Sequence, residues 1–120
     1  MNEVILRRFE APDEVREFPN GRFELVTIAG LTIGRATYQP GWRWSADIGA
    51  ATGDVHCSIE HLGVVLSGRL TTQMKDGTFY HLTPGMIFYI PPEPHDAWVT
   101  SDEPYMSLHI VGASEYARTP

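Results

Sequence analysis

Short segments of alternating or continuous apolar residues follow one another from residue 22 onward. They are brief and rich in β-branched and aromatic residues, which is typical of strands. The predicted strands cover residues 22–28, 32–38, 59–66, 69–75, 78–82, 86–90, 97–100 and 105–111. Turn residues separate them, and Asp76-Gly77 is the strongest hairpin signal, predicting a type I′ turn with positive φ at both residues. Because no segment has the length and period of a helix that joins parallel strands, the pattern predicts an all-β sandwich or barrel.

The N-terminal region has a different pattern. Residues 11–18 read APDEVREF, in which Pro12 suits the first position of a helix, and Asp13 and Glu14 suit the positive end of its dipole. The sequence therefore predicts an N-terminal arm or short helix over residues 1–21, a β-barrel over residues 22–112 and a C-terminal tail over residues 113–120.

Composition limits the functions to consider. A chain of 120 residues with 42% hydrophobic and 20% charged residues fits one globular domain. The net charge is −6, and the eight arginines and single lysine are scattered, which argues against a nucleic-acid partner. A lone cysteine forms no internal disulfide, and no apolar run approaches the roughly 20 residues of a membrane span, so we expect a cytoplasmic protein without a membrane partner.

The segment DVHCSIEHLGVVLSG (residues 54–68) places His56, Cys57 and His61 close together in sequence, after a small-residue loop that we expect to be flexible. Cysteine and histidine both bind divalent metal ions. On a straight strand, residues four apart lie roughly 13 Å apart, so a bend or bulge is needed before His61 and an earlier residue can share an ion. The longer reach of imidazole favours His56 as that residue, with Cys57 as the alternative.

Two motifs resemble those of the cupin family. The stretch VVLSGRL around Gly68 matches the end of the first cupin motif, and PGMIFYIPPEPHDAWV, with Gly85, Pro91 and His95, matches the second. The stretch QPGWRWS (residues 39–45) resembles the strand before the first motif in a subset of bacterial cupins. The resemblance spans residues 22–112 and implies a double-stranded β-helix, the jelly-roll barrel of cupins.

The resemblance also implies a metal site inside the barrel, with a changed ligand set. His61 occupies the position of the usual glutamate, so the common set of three histidines and one glutamate is not present. We expect a divalent ion (zinc, iron, nickel or manganese) held by His56, His61 and His95. For His109 we expect one of two positions, either a fourth inward ligand or a hydrogen-bond donor to the first ligands.

Aromatic residues complete the predicted pocket, which Trp42, Trp44, Trp98 and Tyr38 would line or pack beneath. The function predicted for this pocket is the binding or transformation of a small organic molecule, with lyase, isomerase, cyclase or hydrolase chemistry favoured over dioxygenation. The alternative is a small-molecule-binding or sensor protein that needs no metal. We also expect a homodimer in which the segment at residues 4–9 pairs with a partner.

Overall fold

The protein, in a computed structural model that describes residues 3–118, consists of two antiparallel sheets that face each other. The strands of these residues are β1 (Glu14–Phe18), β2 (Gly21–Ile28), β3 (Leu31–Tyr38), β4 (His61–Ser67), β5 (Leu70–Met74), β6 (Phe79–Leu82), β7 (Ile87–Ile90), β8 (His95–Val99) and β9 (Tyr105–Val111). One sheet has six strands in the order β1-β2-β3-β9-β4-β7, and the other has three in the order β6-β5-β8. The all-β jelly-roll prediction is confirmed.

The eight predicted strands are all present, with ends that differ by at most two residues from the prediction. One turn differs in type. The Asp76-Gly77 hairpin forms, but Gly77 alone of the two has positive φ, at 94°. Its amide donates to the Met74 carbonyl, and Met74 donates to the Thr78 carbonyl, so the loop has three residues instead of two. The two-residue turn with positive φ at both positions is instead Ala29-Gly30, between the paired residues Ile28 and Leu31.

The short helix predicted over residues 11–18 is wrong, because Glu14–Phe18 is strand β1, paired with β2. The Asp13 carboxylate does not cap a helix. It accepts a hydrogen bond from the Thr27 amide at 2.8 Å and pairs with Arg7 at 2.8 Å. These contacts fasten the N-terminal segment to the end of β2, and the turn after Phe18 returns the chain as a hairpin.

The segment that leads into the site has local structure where the sequence predicted a flexible loop. Two single-turn helices form there, α1 (Trp44–Asp47) and α2 (Gly49–Thr52). The Asp96 carboxylate on β8 accepts hydrogen bonds from the Ser45 amide (3.0 Å) and hydroxyl (2.8 Å), which ties α1 to the small sheet.

Within residues 3–118, no helix has the length and apolarity needed to cross a membrane.

The C-terminal segment differs from the predicted tail. Residues 113–117 form a turn that inserts Tyr116 into the core, where its hydroxyl is hydrogen-bonded to that of Tyr38. The Tyr116 ring packs against Phe23 with centroids 5.0 Å apart. The described part of this segment therefore helps to close the barrel over its interior, while residues 119–120 lie outside the described residues.

Candidate metal centre

An antiparallel bridge between Cys57 and His95 forms the first side of the site. The Cys57 amide donates to the His95 carbonyl at 2.8 Å, and the His95 amide donates to the Cys57 carbonyl at 2.9 Å. Residues opposed in this way project their side chains to the same face. Both side chains are therefore directed into the barrel.

His61 begins β4 and forms the second side. Its backbone pairs with Ile90 of β7, and its side chain is buried. The His61 Nε2 atom lies 3.5 Å from the Cys57 Sγ atom. Three ligand atoms, one each from Cys57, His61 and His95, lie within 4.8 Å of one another. Two nitrogens and one sulfur at this spacing form a donor set that suits a single divalent ion.

The orientation of His95 is fixed by the backbone. Its Nδ1 atom lies 2.8 Å from the Glu93 carbonyl oxygen. A carbonyl only accepts, so Nδ1 carries the proton and the Nε2 lone pair of the neutral ring is left free for a ligand. Metal-binding histidines commonly have this arrangement.

His109 extends the cluster from β9. Its ring centroid lies 5.3 Å from that of His61, the same separation as between His61 and His95. The His109 Nε2 atom is 3.1 Å from the Ser107 hydroxyl. His109 is not in the group formed by the Cys57, His61 and His95 ligand atoms, and it makes no hydrogen bond to these three side chains.

Burial keeps these rings neutral. It lowers the pKa of His61 well below its usual value, with smaller contributions from His109 and His95. Burial also lowers the pKa of His95, and that of His109 to about 4. In contrast, burial raises the pKa of the Cys57 thiol to about 12. Neutral imidazoles offer lone pairs to a cation, whereas the thiol has to lose its proton when it binds one.

A small interior cavity of about 30 Å³ lies beside the cluster. Within residues 3–118, five buried side-chain polar atoms have no hydrogen-bond partner, and all five belong to residues that line this cavity. They are Trp42 Nε1, Trp44 Nε1, His61 Nδ1, Thr72 Oγ1 and His109 Nδ1. Tyr38 lines the same cavity.

A larger open groove of about 800 Å³ lies between β6 and β7, where the two sheets are not hydrogen-bonded to each other. The apolar and aromatic side chains along it include Met74, Tyr80, Leu82, Met86, Phe88 and Ile90. Four residues line both the groove and the cavity, namely Thr72, Leu82, Phe88 and Ile90. The groove and the cavity beside the Cys57–His61–His95 cluster are therefore neighbours, separated by these four side chains.

Sequence comparison identifies the family of the domain. A family model described as "Cupin domain" matches residues 35–111, which is more than half of the chain. The chain belongs to the cupin family. No curated protein sequence matches this cupin.

Solved structures share its fold at low identity. A protein of unknown function from Rhizobium leguminosarum is 20% identical with a TM-score of 0.64, covering 91% of this cupin and 96% of that chain. The polyketide cyclase RemF from Streptomyces resistomycificus is 15% identical with a TM-score of 0.60, and the match covers 86% of this cupin and 69% of that chain. A chain from a study of the DMSP lyases RdDddP and RnDddQII is 17% identical with a TM-score of 0.53, and the match covers 82% of this cupin and 50% of that chain. This cupin thus spans about half of the length of that last chain.

Two residues that the sequence analysis assigned to the site lie elsewhere. His56 was favoured over Cys57, but the group of ligand atoms with His61 and His95 contains Cys57, whereas His56 lies half-buried in the bend before it and is not in that group. Trp98 lies on the outer face of β8, because His95 and Ala97 occupy the inner face. The Arg43 guanidinium stacks on its ring at 4.2 Å.

Other residues of the site were missed. Thr72 and the groove residues Leu82, Phe88 and Ile90 follow from strand alternation, which places them on the inner faces of β5, β6 and β7. Tyr116, whose ring centroid lies 5.0 Å from that of His61, follows the last strand and has no periodic signal that would have identified it.

Proposed function

We propose that this cupin binds one divalent metal ion through Cys57, His61 and His95, and that the ion holds or acts on a small organic molecule entering through the groove. The observation that carries the proposal is the convergence of three buried ligand atoms within 4.8 Å. The fixed tautomer of His95 supports it, because it directs a free lone pair toward the cluster.

The kinds of donor atom in the cluster indicate which metal ions it would bind. Thiolate and imidazole suit zinc, iron and nickel, whereas manganese prefers carboxylate and other oxygen donors. Within residues 3–118, no carboxylate belongs to the cluster. Three protein ligands are also the usual number at catalytic zinc sites, which keep a further position for water or substrate.

The same arrangement favours chemistry without a change of oxidation state. When bound, such an ion polarises a carbonyl oxygen or lowers the pKa of a water molecule. The chain's own residues bury the three ligand side chains and favour the neutral form of the imidazoles. Lyase, isomerase, cyclase or hydrolase activity on a small organic substrate follows as the favoured class. A polyketide cyclase is among the proteins of similar fold, which is compatible with this class.

Metal analysis tests the proposal. We expect about one equivalent of zinc, iron or nickel in protein purified without an affinity tag, and its loss in His61→Ala and His95→Ala. The matched control is His81→Ala, because His81 is an exposed histidine that contacts the Thr71 hydroxyl at 2.9 Å, outside the cluster. Protein that takes up no stoichiometric metal, or variants that retain it, would contradict the proposal.

A second candidate is a small-molecule-binding protein that needs no metal. The unpartnered polar atoms of Trp42, Trp44 and Thr72 at the interior cavity favour it, because they can hydrogen-bond a ligand with no ion present. In this case the protein stays metal-free, and its ligand binds equally well to His61→Ala and His95→Ala.

A further inference from the structure

The unpartnered polar atoms of the interior cavity carry information about the ligand. Buried polar groups in proteins are almost always hydrogen-bonded, so each exception needs an explanation. Here the five exceptions among residues 3–118 all lie around one cavity, and every one of their side chains is at least nine-tenths buried. Such convergence indicates that the cavity receives a polar group.

The chemistry of these atoms indicates which kind of polar group. An indole N–H only donates, so Trp42 and Trp44 both require an acceptor. The Thr72 hydroxyl can donate a third hydrogen bond, and all three residues border the same small cavity. In addition, the residues that line the cavity include no lysine and no arginine. The three donors therefore form a neutral site for an oxygen acceptor.

The size of the cavity sets how much of a ligand enters it. A volume of about 30 Å³ accommodates one or two water molecules or one oxygen-bearing group, but no whole organic molecule. The groove of about 800 Å³ falls within the range of small-molecule sites. Thr72, Leu82, Phe88 and Ile90 line both spaces, so the two are neighbours, and the inference places one ligand across the boundary that these side chains form.

We infer that the ligand is a small molecule with an apolar body and one ketone- or carboxylate-type oxygen, whose oxygen is held by the indole N–H groups of Trp42 and Trp44 and the Thr72 hydroxyl. The apolar body lies in the groove between β6 and β7. The inference deepens the proposed function by naming the substrate class, and it rests on that proposal for the location of the site.

Indole N–H resonances test the inference directly. In a proton–nitrogen spectrum the three tryptophans give three indole signals, and Trp98 is an internal control because it lies on the outer face of β8. The probes are 2-butanone and butanoate, which present an acceptor oxygen, and butylammonium, which is of similar size and only donates. We expect both acceptor probes to shift the Trp42 and Trp44 signals saturably, without moving that of Trp98 and without a response to butylammonium.

Substitutions at two neighbouring threonines give a matched test. Thr72→Val removes the donor at nearly constant volume and should weaken binding of 2-butanone roughly three- to tenfold, as expected for one hydrogen bond. Thr71 is also buried, but its hydroxyl contacts His81 Nδ1 at 2.9 Å, away from the cavity. Thr71→Val should leave the binding constant unchanged.

Several outcomes would overturn the inference. If neither acceptor probe shifts the Trp42 and Trp44 signals, the cavity holds water only. If butylammonium shifts them as strongly as the acceptors do, or if Thr71→Val weakens binding as much as Thr72→Val, the donors do not select an oxygen. Metal content measured on the same samples separates the two proposals, because an oxygen site found in metal-free protein would leave this inference intact and remove the metal.

Discussion

The Sγ atom of Cys57 lies 3.5 Å from the Nε2 atom of His61, although a straight strand would hold their backbones roughly 13 Å apart. The chain bends after Cys57, because that residue pairs with His95 of the small sheet while His61 begins β4 of the large sheet. The candidate site therefore spans the two sheets at one end of the barrel, and its three ligands come from two segments that are distant in sequence.

We expect Cys57→Ala to lower the affinity for zinc by at least about tenfold, because even changes behind a ligand cost 10- to 100-fold. A chelator-competition titration measures the change. His56→Ala is the control, since the adjacent side chain lies outside the cluster. If His56→Ala lowered the affinity and Cys57→Ala did not, the assignment of the inward residue would be wrong.

The strands were predictable because they are brief, alternating and separated by turn residues, so local sequence alone identifies them. Strand β1 was not predicted, because Pro12, Asp13 and Glu14 have the local signature of a helix start. The decisive interactions of β1 are with β2, across a turn. Local preference is a weak guide where tertiary pairing competes with it.

The site was predictable only in part, for a related reason. The motifs indicated His61 and His95 as neighbours, but the choice between His56 and Cys57 depended on a single backbone bridge to His95 that no local pattern encodes. Trp98 shows the opposite case. Alternation from the inward-facing His95 would have placed Trp98 outside, so the sequence already held the information that excludes it from the pocket.

Asp96 positions the segment that brings Trp44 to the cavity. Its carboxylate accepts two hydrogen bonds from Ser45 and one from Arg43, the last at 3.2 Å. We expect Asp96→Ala to lower the free energy of unfolding by about 1–3 kcal/mol, because the half-buried amide and hydroxyl of Ser45 lose their acceptor. Urea denaturation measures this difference, and the indole signal of Trp44 should broaden.

Arg43→Ala provides the comparison for Asp96. The Arg43 side chain is 45% exposed and Asp96 keeps its bonds to Ser45, so the loss should not exceed about 1 kcal/mol. Equal losses in the two variants would show that the contacts of Arg43 with Asp96 and Trp98, and not the anchoring of α1, carry the stability.

Asp13 gives the protein a local response to acid. Two hydrogen bonds lower the pKa of Asp13 below its ordinary 3.8. The larger effect comes from the Arg7 side chain and the smaller one from the Thr27 amide. A lowered pKa in the folded state means that the contact stabilises the fold above pH 3.8 and is lost as the pH falls through the lower, folded value. We expect the Thr27 amide chemical shift to titrate with a midpoint below 3.8.

Asp13→Asn should abolish that titration and loosen the N-terminal segment at pH 7. Glu10→Gln should leave the titration unchanged, because Glu10 pairs with Arg35 and not with Arg7. A midpoint at or above 3.8 in the unaltered protein would contradict the assignment.

The homodimer expected from the sequence remains a prediction, and the N-terminal segment offers a sharp test of it. Val4 and Leu6 are 88% and 87% exposed, so two neighbouring apolar side chains stand in solvent on a segment predicted to pair with a partner. Burying both would favour association by about 1.5–3 kcal/mol for each side chain. We expect sedimentation equilibrium to give the mass of two chains, and the double variant Val4→Asp, Leu6→Asp to give that of one.

Val55→Asp is the control, because Val55 is 75% exposed in the loop before Cys57 and a charge there should leave the dimer intact. A mass of one chain at every concentration, or a double variant that still sediments as two, would contradict pairing through this segment.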